Sequence, residues 1–340
     1  MTINRNITFD IIKAIGILLV IIGHLADNFK IFIGIIYIFH MPLFFIVSGY
    51  FFKKKEITKL FKRDFHSLVF PYLLVALCLI LYGTIIALFQ QDYNKFKYWL
   101  DATLGEGKGP LWFLLAMFWC RMFYNILHIV INKMRLKRTN IVCLIITFIP
   151  FALIPLMNNP MKYNILCWLN GVHAMFYYSI GACIKEYNII KQLSNYPPLL
   201  LNIVIILLDF VFILITIKES HSLCLGVNMA DFKQNNLICN IGVSILSFLL
   251  LYFFSQYLEN ELPKISKKIA WYGRLSLVVF CMHTILFRIF PFTKLLEYII
   301  PEINIHVESI MIIILHITIT VLFCKIVEKY SSLKYLFNIK

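Results

Sequence analysis

Long, almost uncharged apolar runs follow one another along nearly the whole chain and constrain its fold more than any other feature. A helix needs about 20 mostly apolar residues to span a bilayer. About ten segments of that length can be marked, at 9–27, 31–52, 67–89, 110–131, 140–157, 165–184, 199–217, 237–258, 270–292 and 307–328. Of the 340 residues, 61% are hydrophobic and only 14% are charged, and the runs lack the alternation of barrel strands. The sequence therefore predicts an all-α polytopic membrane protein with about ten transmembrane helices, in which residues 1–340 form a single domain.

The loops differ in their content of Lys and Arg, and this difference predicts which way the helices run. With ten helices both termini lie on one side. The loops of that side hold most of the basic residues, including the block Lys53, Lys54, Lys55, Lys59, Lys62 and Arg63. Cytoplasmic loops of membrane proteins carry an excess of such residues, so we expect both termini in the cytoplasm. The net charge of +15 then reflects this loop bias, and we expect no nucleic acid partner.

The first apolar segment, residues 9–27, contains both a cation and an imidazole. Lys13 and His24 share one face of the predicted helix and lie about 16 Å apart along its axis. Asp10 lies one turn before Lys13 and can pair with it. Ionisable groups in a spanning helix are costly and usually face a protein-lined or water-filled cavity. The segment therefore predicts a polar stripe that runs from Lys13, near the cytoplasmic end, towards His24, near the outer end.

The second and ninth segments also carry ionisable groups at membrane depth. His40 lies in the second segment, and Arg274 and His283 lie in the ninth. A lone His in such a place can be a hydrogen-bonded packing residue, but His40 lies at a depth comparable with that of His24, and this pair favours a shared polar cavity. No Cys, Asp or Glu lies at ligand spacing beside them, so we expect no metal site. Gly49 and Gly181 are small residues that permit close contact between helices.

Arg63 and Trp112 lie near the ends of the third and fourth segments. The planar guanidinium of Arg63 can hold a phosphate group, and a contact with an anionic lipid headgroup explains its position equally well. Trp112 fits the belt of aromatic residues found near membrane interfaces. Asp209, in the middle of the seventh segment, either neutralises a cation or faces a cavity, and both interpretations stay open.

Together these residues resemble the integral-membrane acyltransferase family 3, whose best-known members O-acetylate cell-surface polysaccharides of bacteria. The first helix of that family carries a basic residue, ten intervening residues and a His, as Lys13 and His24 do here. Further matching positions are His40, Met41, Pro42, Ser48 and Gly49, then Arg63, Pro71 and Tyr72, then Leu111 to Leu114, and finally Gly273, Ser276, Leu277 and His283. The chain departs from the family pattern at Cys281 and Met282, where aliphatic and aromatic residues are usual.

The resemblance implies a multi-pass acyltransferase of the bacterial plasma membrane. Such an enzyme moves an acetyl group from cytoplasmic acetyl-CoA to a hydroxyl of a cell-surface or lipid-linked glycan. Its expected partners are acyl-CoA, the glycan acceptor and membrane lipids. The implied catalytic residues are Asp10, His24, His40 and His283, with His24 as the general base, and the residues implied to bind acetyl-CoA are Lys13, Arg63, Trp112 and Arg274. The alternative is an exporter or flippase of a polysaccharide or lipid-linked glycan, which an internal repeat would favour; we find no repeat between the two halves.

Overall fold

The protein is a bundle of α-helices. A computed structural model describes residues 6–25, 28–91, 94, 110–136, 138–220, 228–234, 236–300 and 302–337. Within these ranges the chain forms helices and turns and contains no β-strand, which confirms the predicted all-α class. One large cluster of buried apolar side chains, drawn from most of the long helices, forms the core.

The helices in chain order are α1 (Ile7–Leu25), α2 (Lys30–Tyr50), α3 (Ile57–Asp64), α4 (Phe70–Gln90), α5 (Trp112–Lys133), α6 (Thr139–Leu153), α7 (Trp168–Glu186), α8 (Ile189–Leu193), α9 (Pro198–Ser220), α10 (Leu237–Glu261), α11 (Pro263–Arg274), α12 (Ser276–Ile289), α13 (Phe292–Ile299), α14 (Ile305–Lys329) and α15 (Ser331–Leu336). A π-helical turn, Phe65–Val69, joins α3 to α4. Short 3-10 turns lie between α6 and α7.

Eight helices of the described chain are long and apolar enough to cross a membrane by length and composition. They are Ile7–Leu25, Lys30–Tyr50, Ile57–Gln90, Trp112–Lys133, Thr139–Leu156, Leu200–Glu219, Leu237–Glu261 and Ile305–Lys329. A bent pair of helices would raise the number to nine. The protein is therefore a multi-pass membrane protein, while the number of ten crossings and the cytoplasmic position of both termini stay predictions.

The ninth predicted segment, 270–292, is not one continuous helix. Leu275 leaves the helical conformation (φ −97°, ψ 15°), and α11 and α12 meet there at an angle of 63°. The apolar part, α12, has only 14 residues, fewer than the roughly 20 that a spanning helix needs. The continuous span predicted from the sequence is wrong here, because the apolar run continues across a break in the backbone.

The sixth predicted segment, 165–184, forms α7, which is not among the eight candidate spans. Nearly all of α7 is buried, and it packs against α2, α5 and α6. Its polar side chains bind other parts of the protein: Asn170 donates to two backbone carbonyls, and Ser179 lies 2.7 Å from the hydroxyl of Thr147. A helix enclosed by protein in this way can be less apolar than one that faces lipid.

Glycines allow close approaches between helices. A Cβ at Gly49 of α2 would overlap the backbone carbonyl of Tyr178 in α7, and a Cβ at Gly181 of α7 would overlap the carbonyl oxygen of Ile46 in α2. These contacts confirm the close packing predicted for both residues. Gly273 of α11 lies in the same way against the backbone of Asp10, so α11 approaches α1 beside the predicted polar stripe.

Candidate active site

One face of α1 lines two neighbouring cavities. Lys13, Ile17 and Val20 line a cavity of about 360 Å³, here called the Lys13 cavity. Val20 and His24 line a second cavity of about 350 Å³, here called the His24 cavity. The polar stripe predicted from the spacing of Lys13 and His24 is therefore confirmed as a cavity-lining face.

The Lys13 cavity lies between α1, α2, α5 and α12. Its polar lining consists of Lys13, Ser48, Arg121 and Ser276, and its other lining residues are apolar. The Nζ of Lys13 lies 2.5 Å from Oδ1 of Asp10, as the sequence predicted for this pair. Asp10 is buried and Lys13 is partly exposed, so the ammonium group is held by its carboxylate at the edge of the cavity.

A group of cations built around one buried carboxylate borders the Lys13 cavity. The carboxylate of Asp64 is fully buried; Oδ1 accepts a hydrogen bond from Nε of Arg63 at 2.7 Å, and Oδ2 lies 2.9 Å from Nε of Arg121. Both arginine side chains remain partly exposed. With Lys53 and Lys55 they line a small cavity of about 90 Å³. We call these four basic residues the cation cluster, and Arg121 links it to the Lys13 cavity because it lines both.

The loop that carries Lys55 is fixed to α5 by a reciprocal pair of hydrogen bonds. The backbone N–H of Lys55 donates to Oδ1 of Asn125 at 3.0 Å, and Nδ2 of Asn125 donates to the carbonyl of Lys55 at 2.9 Å. Partial burial lowers the pKa of Lys55, and the positive charges of Arg63 and Arg121 lower it further. Crowded cations of this kind favour a bound anion, which would offset their mutual repulsion.

The His24 cavity combines imidazoles with aromatic rings. His24, Tyr37, His40, Trp112 and Arg288 are among its lining residues. The hydroxyl of Tyr37 lies 3.5 Å from Nδ1 of His24, and the ring of Tyr37 lies 5.1 Å from that of His40. The shared polar cavity predicted for the two histidines is thus present.

His40 is held by its own helix. Its Nδ1 lies 2.7 Å from the carbonyl oxygen of Ile36, and because a carbonyl only accepts, Nδ1 carries the proton. In the neutral ring Nε2 is then left as a hydrogen-bond acceptor. His40 is buried at 3% exposure, so this tautomer is fixed by the fold rather than by solvent.

His283 lies behind His24 and does not line either cavity. Its ring is stacked on that of His24, with centroids 5.6 Å apart, and lies 5.7 Å from the ring of His316 in α14. Within the described residues neither ring nitrogen of His283 has a hydrogen-bond partner. The structure therefore brings His24, His40 and His283 together, but only the first two face the cavity.

Three apolar side chains line both cavities: Val20, Met41 and Phe280. All three are buried, and they come from α1, α2 and α12. We call them the shared wall. A molecule that extended from the cation cluster to the histidines would have to pass this wall.

The four residues predicted to bind acetyl-CoA lie in four different places. Lys13 and Arg63 lie in the Lys13 cavity and the cation cluster, whereas Trp112 lies in the His24 cavity. Arg274 is paired with Glu328 of α14, which also accepts a hydrogen bond from the indole of Trp271 at 2.6 Å. Arg274 is not among the lining residues of the cavities described above, so the structure does not group it with the other cations.

Sequence reasoning missed several residues of the site. Asp64 directly follows Arg63, three residues before the predicted span 67–89, and this adjacency could have indicated a buried ion pair. Asn125 and Asp231 gave no signal, because their neighbours in space are distant in the chain. Asp231 lines the His24 cavity from a loop. The position of this loop beside the cavity depends on the tertiary structure and cannot be predicted from the neighbouring residues in the chain.

Comparison with known proteins gives the family. A family described as an acyltransferase domain matches residues 6–328 of the chain. The chain belongs to acyltransferase family 3. This membership confirms the resemblance read from the sequence, and both cavities, the cation cluster and the shared wall lie within the matched residues of this membrane acyltransferase domain.

Parts of the chain are also similar to two proteins named Nodulation protein NolL. The one from Sinorhizobium fredii (strain NBRC 101917 / NGR234) is 49% identical over 57 residues, which cover 14% of this chain and 16% of the relative. The one from Mesorhizobium japonicum (strain LMG 29417 / CECT 9101 / MAFF 303099) is 33% identical over 129 residues, which cover 34% of each chain. The matches thus span about a third or less of these relatives. No solved structure matches the chain.

Proposed function

We propose that the protein transfers an acetyl group from cytoplasmic acetyl-CoA to a hydroxyl of a cell-surface or lipid-linked glycan, in the plasma membrane of a bacterium. The observation that supports this most is the pair of adjoining cavities, one bordered by cations and the other lined by two imidazoles. Family membership supplies the reaction class. The identity of the donor, the identity of the acceptor and the location in a bacterial plasma membrane are what we propose in addition to that class.

The cation cluster suits the phosphates of CoA. CoA is a polyanion with a long, thin arm, and guanidinium groups bind phosphates through paired, charge-assisted hydrogen bonds. Asp64 holds the guanidinium groups of Arg63 and Arg121 at one place, and Lys13 lies further along the Lys13 cavity. The arm would then extend along this cavity towards the shared wall. Trp112, in the other cavity, would meet the thioester end of the donor rather than its phosphates.

The histidines suit the transfer step. The hydroxyl oxygen of the acceptor attacks the thioester carbonyl carbon, a C–O bond forms, the C–S bond breaks, and CoA leaves as a thiolate. The proton of the hydroxyl passes to the imidazole of His24 and from there to the thiolate. His40 lines the same cavity with its acceptor nitrogen fixed, and His283 positions His24 through ring stacking. Asp10 acts by holding Lys13.

The first test concerns His24. In purified full-length protein, His24→Ala should lower the transfer of labelled acetyl from acetyl-CoA at least 100-fold, because a positioned general base contributes about 10²–10⁴ to a rate. Acetyl-CoA binding should stay unchanged. His306→Ala removes an exposed imidazole that lines neither cavity and should have no effect. Wild-type turnover in the His24 variant would contradict the assignment of His24 as the general base.

Two measurements, the release of free CoA and the mass of surface glycans, separate the transferase from the exporter. Acetyl transfer releases free CoA, whereas export of a glycan cleaves no thioester. Surface glycans of cells with and without the protein should differ in mass by acetyl groups. Transport of unmodified glycan without any CoA release would support the exporter instead.

A second prediction concerns the donor. Arg63→Ala and Lys13→Ala should each weaken acetyl-CoA binding about tenfold, since a hydrogen bond to a charged group is worth about 1.5–3 kcal/mol. Calorimetric titration with acetyl-CoA measures this. Lys59→Ala is the matched control, because Lys59 lies on the same helix as Arg63 with an exposed side chain paired to Glu56. Unchanged affinity in both test variants would remove these residues from the donor site.

A further inference from the structure

The His24 cavity has one wall that the transfer step above leaves without a role. This wall is the loop of residues 228–231, all four of which line the cavity, together with Arg288 on α12. Among the described residues that line this cavity, Asp231 is the single carboxylate. It is half-buried, and its Oδ2 accepts a hydrogen bond from Nδ2 of Asn228 at 3.0 Å.

Hydrogen bonds between Asn228 and neighbouring residues hold the loop in a defined conformation. Asn228 and Lys233 exchange backbone hydrogen bonds of 2.9 Å in both directions. Oδ1 of Asn228 also accepts from the backbone N–H of Ala230 at 3.0 Å. The amide oxygen of Asn228 therefore closes the turn, and its amide nitrogen orients Asp231.

The loop is also fixed to the bundle. Asn170 of α7, which is fully buried, donates to the carbonyls of Met229 and Ala230 at 3.1 and 3.0 Å. Phe232, the residue that follows the loop, has a positive φ of 59° and a buried ring packed near Ile154 and Leu169. A non-glycine residue keeps such a conformation only where its surroundings enforce it. The wall is thus a rigid part of the cavity.

The chemistry of this wall fits a sugar. A carboxylate accepts hydrogen bonds from hydroxyl groups, and the aromatic rings of Tyr37, Trp112 and Phe287 line the same cavity. Ligand pockets of this kind combine apolar and aromatic surfaces with a few fixed polar groups that set orientation. The guanidinium of Arg288 lies over the ring of Phe287, 5.5 Å from its centroid. Asp231 and Arg288 thus contribute one negative and one positive side chain to the lining of this cavity.

We propose that the 228–231 loop is the acceptor subsite, which holds an uncharged sugar residue, with Asp231 accepting hydrogen bonds from its hydroxyls. A sugar that contacts Asp231 is selected for being uncharged, because the carboxylate of Asp231 repels the carboxylate of a uronic acid at that position. Asp231 is a specificity-determining residue for the reaction at His24. This assignment rests on the acyl-transfer function proposed above.

The test uses full-length protein in lipid nanodiscs with labelled acetyl-CoA. The acceptor probes are p-nitrophenyl glycosides of glucose, galactose, N-acetylglucosamine and rhamnose, with the glucuronide as the charged probe. Asp231→Asn should raise KM for the neutral glycosides at least tenfold and leave acetyl-CoA affinity within twofold. The preference for neutral glycosides over the glucuronide should shrink by a similar factor. Asp231→Glu, which moves the carboxylate by one methylene, should change KM but retain that preference.

Lys233→Gln is the matched control, because Lys233 lies two residues after the loop, is paired with Asn228 through its backbone alone, and has an exposed side chain. It should leave every constant unchanged. Unaltered KM and charge preference in Asp231→Asn would overturn the subsite, as would a wild-type protein that prefers the glucuronide. A wild-type protein that acetylates surface glycans of cells but none of these glycosides would overturn the neutral-sugar assignment. A wild-type protein that neither binds acetyl-CoA nor releases CoA would instead remove the proposed function itself.

Discussion

Asp64 shows how one buried carboxylate organises a whole binding surface. It lies at the C-terminal end of α3, where the chain passes through a π-helical turn into α4. Arg63 approaches it from the same helix and Arg121 from α5. A buried carboxylate needs such partners, because an uncompensated charge is costly away from water. In return it fixes two guanidinium groups that would otherwise move apart.

At this scale we predict that Asp64→Asn lowers stability. Loss of one partner from a buried ion pair costs about 3–5 kcal/mol, and the partial exposure of both arginines reduces this to about 2 kcal/mol. The thermal midpoint of the detergent-solubilised protein should fall by about 4–8 °C. Glu56→Gln is the control, since Glu56 pairs with Lys59 on the surface and such pairs contribute little. Equal midpoints for the two variants would contradict the structural role of Asp64.

The sequence predicted which residues share the face of one helix better than which residues of different helices lie together. Lys13 and His24 could be assigned to one face because helical spacing alone determines it. His40 was predicted to share a cavity with His24 and does, whereas His283, which was predicted to face a cavity, lies behind His24. Trp112 was placed with the donor cations and lies instead beside the histidines. Such groupings depend on how helices rotate against each other, and a single sequence does not encode that in any local pattern.

At the scale of elements, the crossing of α2 and α7 fixes the site. Gly49 and Gly181 face each other's helix backbones across this crossing. Small residues let helix backbones approach closely in membrane proteins, where packing rather than water drives association. This approach holds α2, with His40 and Met41 on it, in its place beside α1.

We therefore predict that Gly49→Ala and Gly181→Ala separate these two helices. A Cβ at either position overlaps a backbone carbonyl, which cannot rotate away as a side chain can. Overpacking of this kind costs about 1–3 kcal/mol or more. Gly23→Ala is the control, because its Cβ would meet the ring of Tyr37 at an ordinary 3.4 Å. The measurement is the thermal midpoint of each of the three variants in detergent. A decrease in the midpoint of Gly23→Ala as large as that of the other two variants would contradict the close crossing of α2 and α7.

The elements themselves were largely predictable. Apolar runs gave the long helices, since a run of about 20 residues has few other structures open to it in a membrane. The break at Leu275 was not predicted from hydropathy, because the segment as a whole stays apolar although Arg274 and Ser276 flank the break. The burial of α7 was equally hidden: its sequence predicts a span, whereas its surroundings are three other helices.

At the scale of the whole molecule, two cavities meet at the shared wall of Val20, Met41 and Phe280. The wall is made of side chains from three different helices, so its width depends on the packing of the entire bundle. An apolar wall of this kind disfavours the passage of ions and of the charged part of CoA. In the proposed reaction only the thin, weakly polar acyl end of the donor needs to pass it.

The last prediction follows from this arrangement. Val20→Phe adds bulk to the wall and should lower acetyl transfer at least tenfold, while acetyl-CoA binding at the cation cluster stays within about twofold. Such a split between binding and turnover follows if the phosphates bind on one side of the wall and the chemistry occurs on the other. Retained binding also reports that the variant is folded. The measurements are acetyl-CoA titration and labelled acetyl transfer on the same preparation.

Leu18→Phe is the matched control for this change. Leu18 lies on the same helix and lines a different pocket, with Ala14 and Trp271, so added bulk there leaves the passage open. It should retain normal binding and transfer. If Val20→Phe weakened binding and transfer equally, the donor phosphates and the reacting carbonyl would lie on the same side of the wall. In that case the cation cluster would have to bind another anion, such as a lipid headgroup, and the division of the site into a donor end and a reaction end would be wrong.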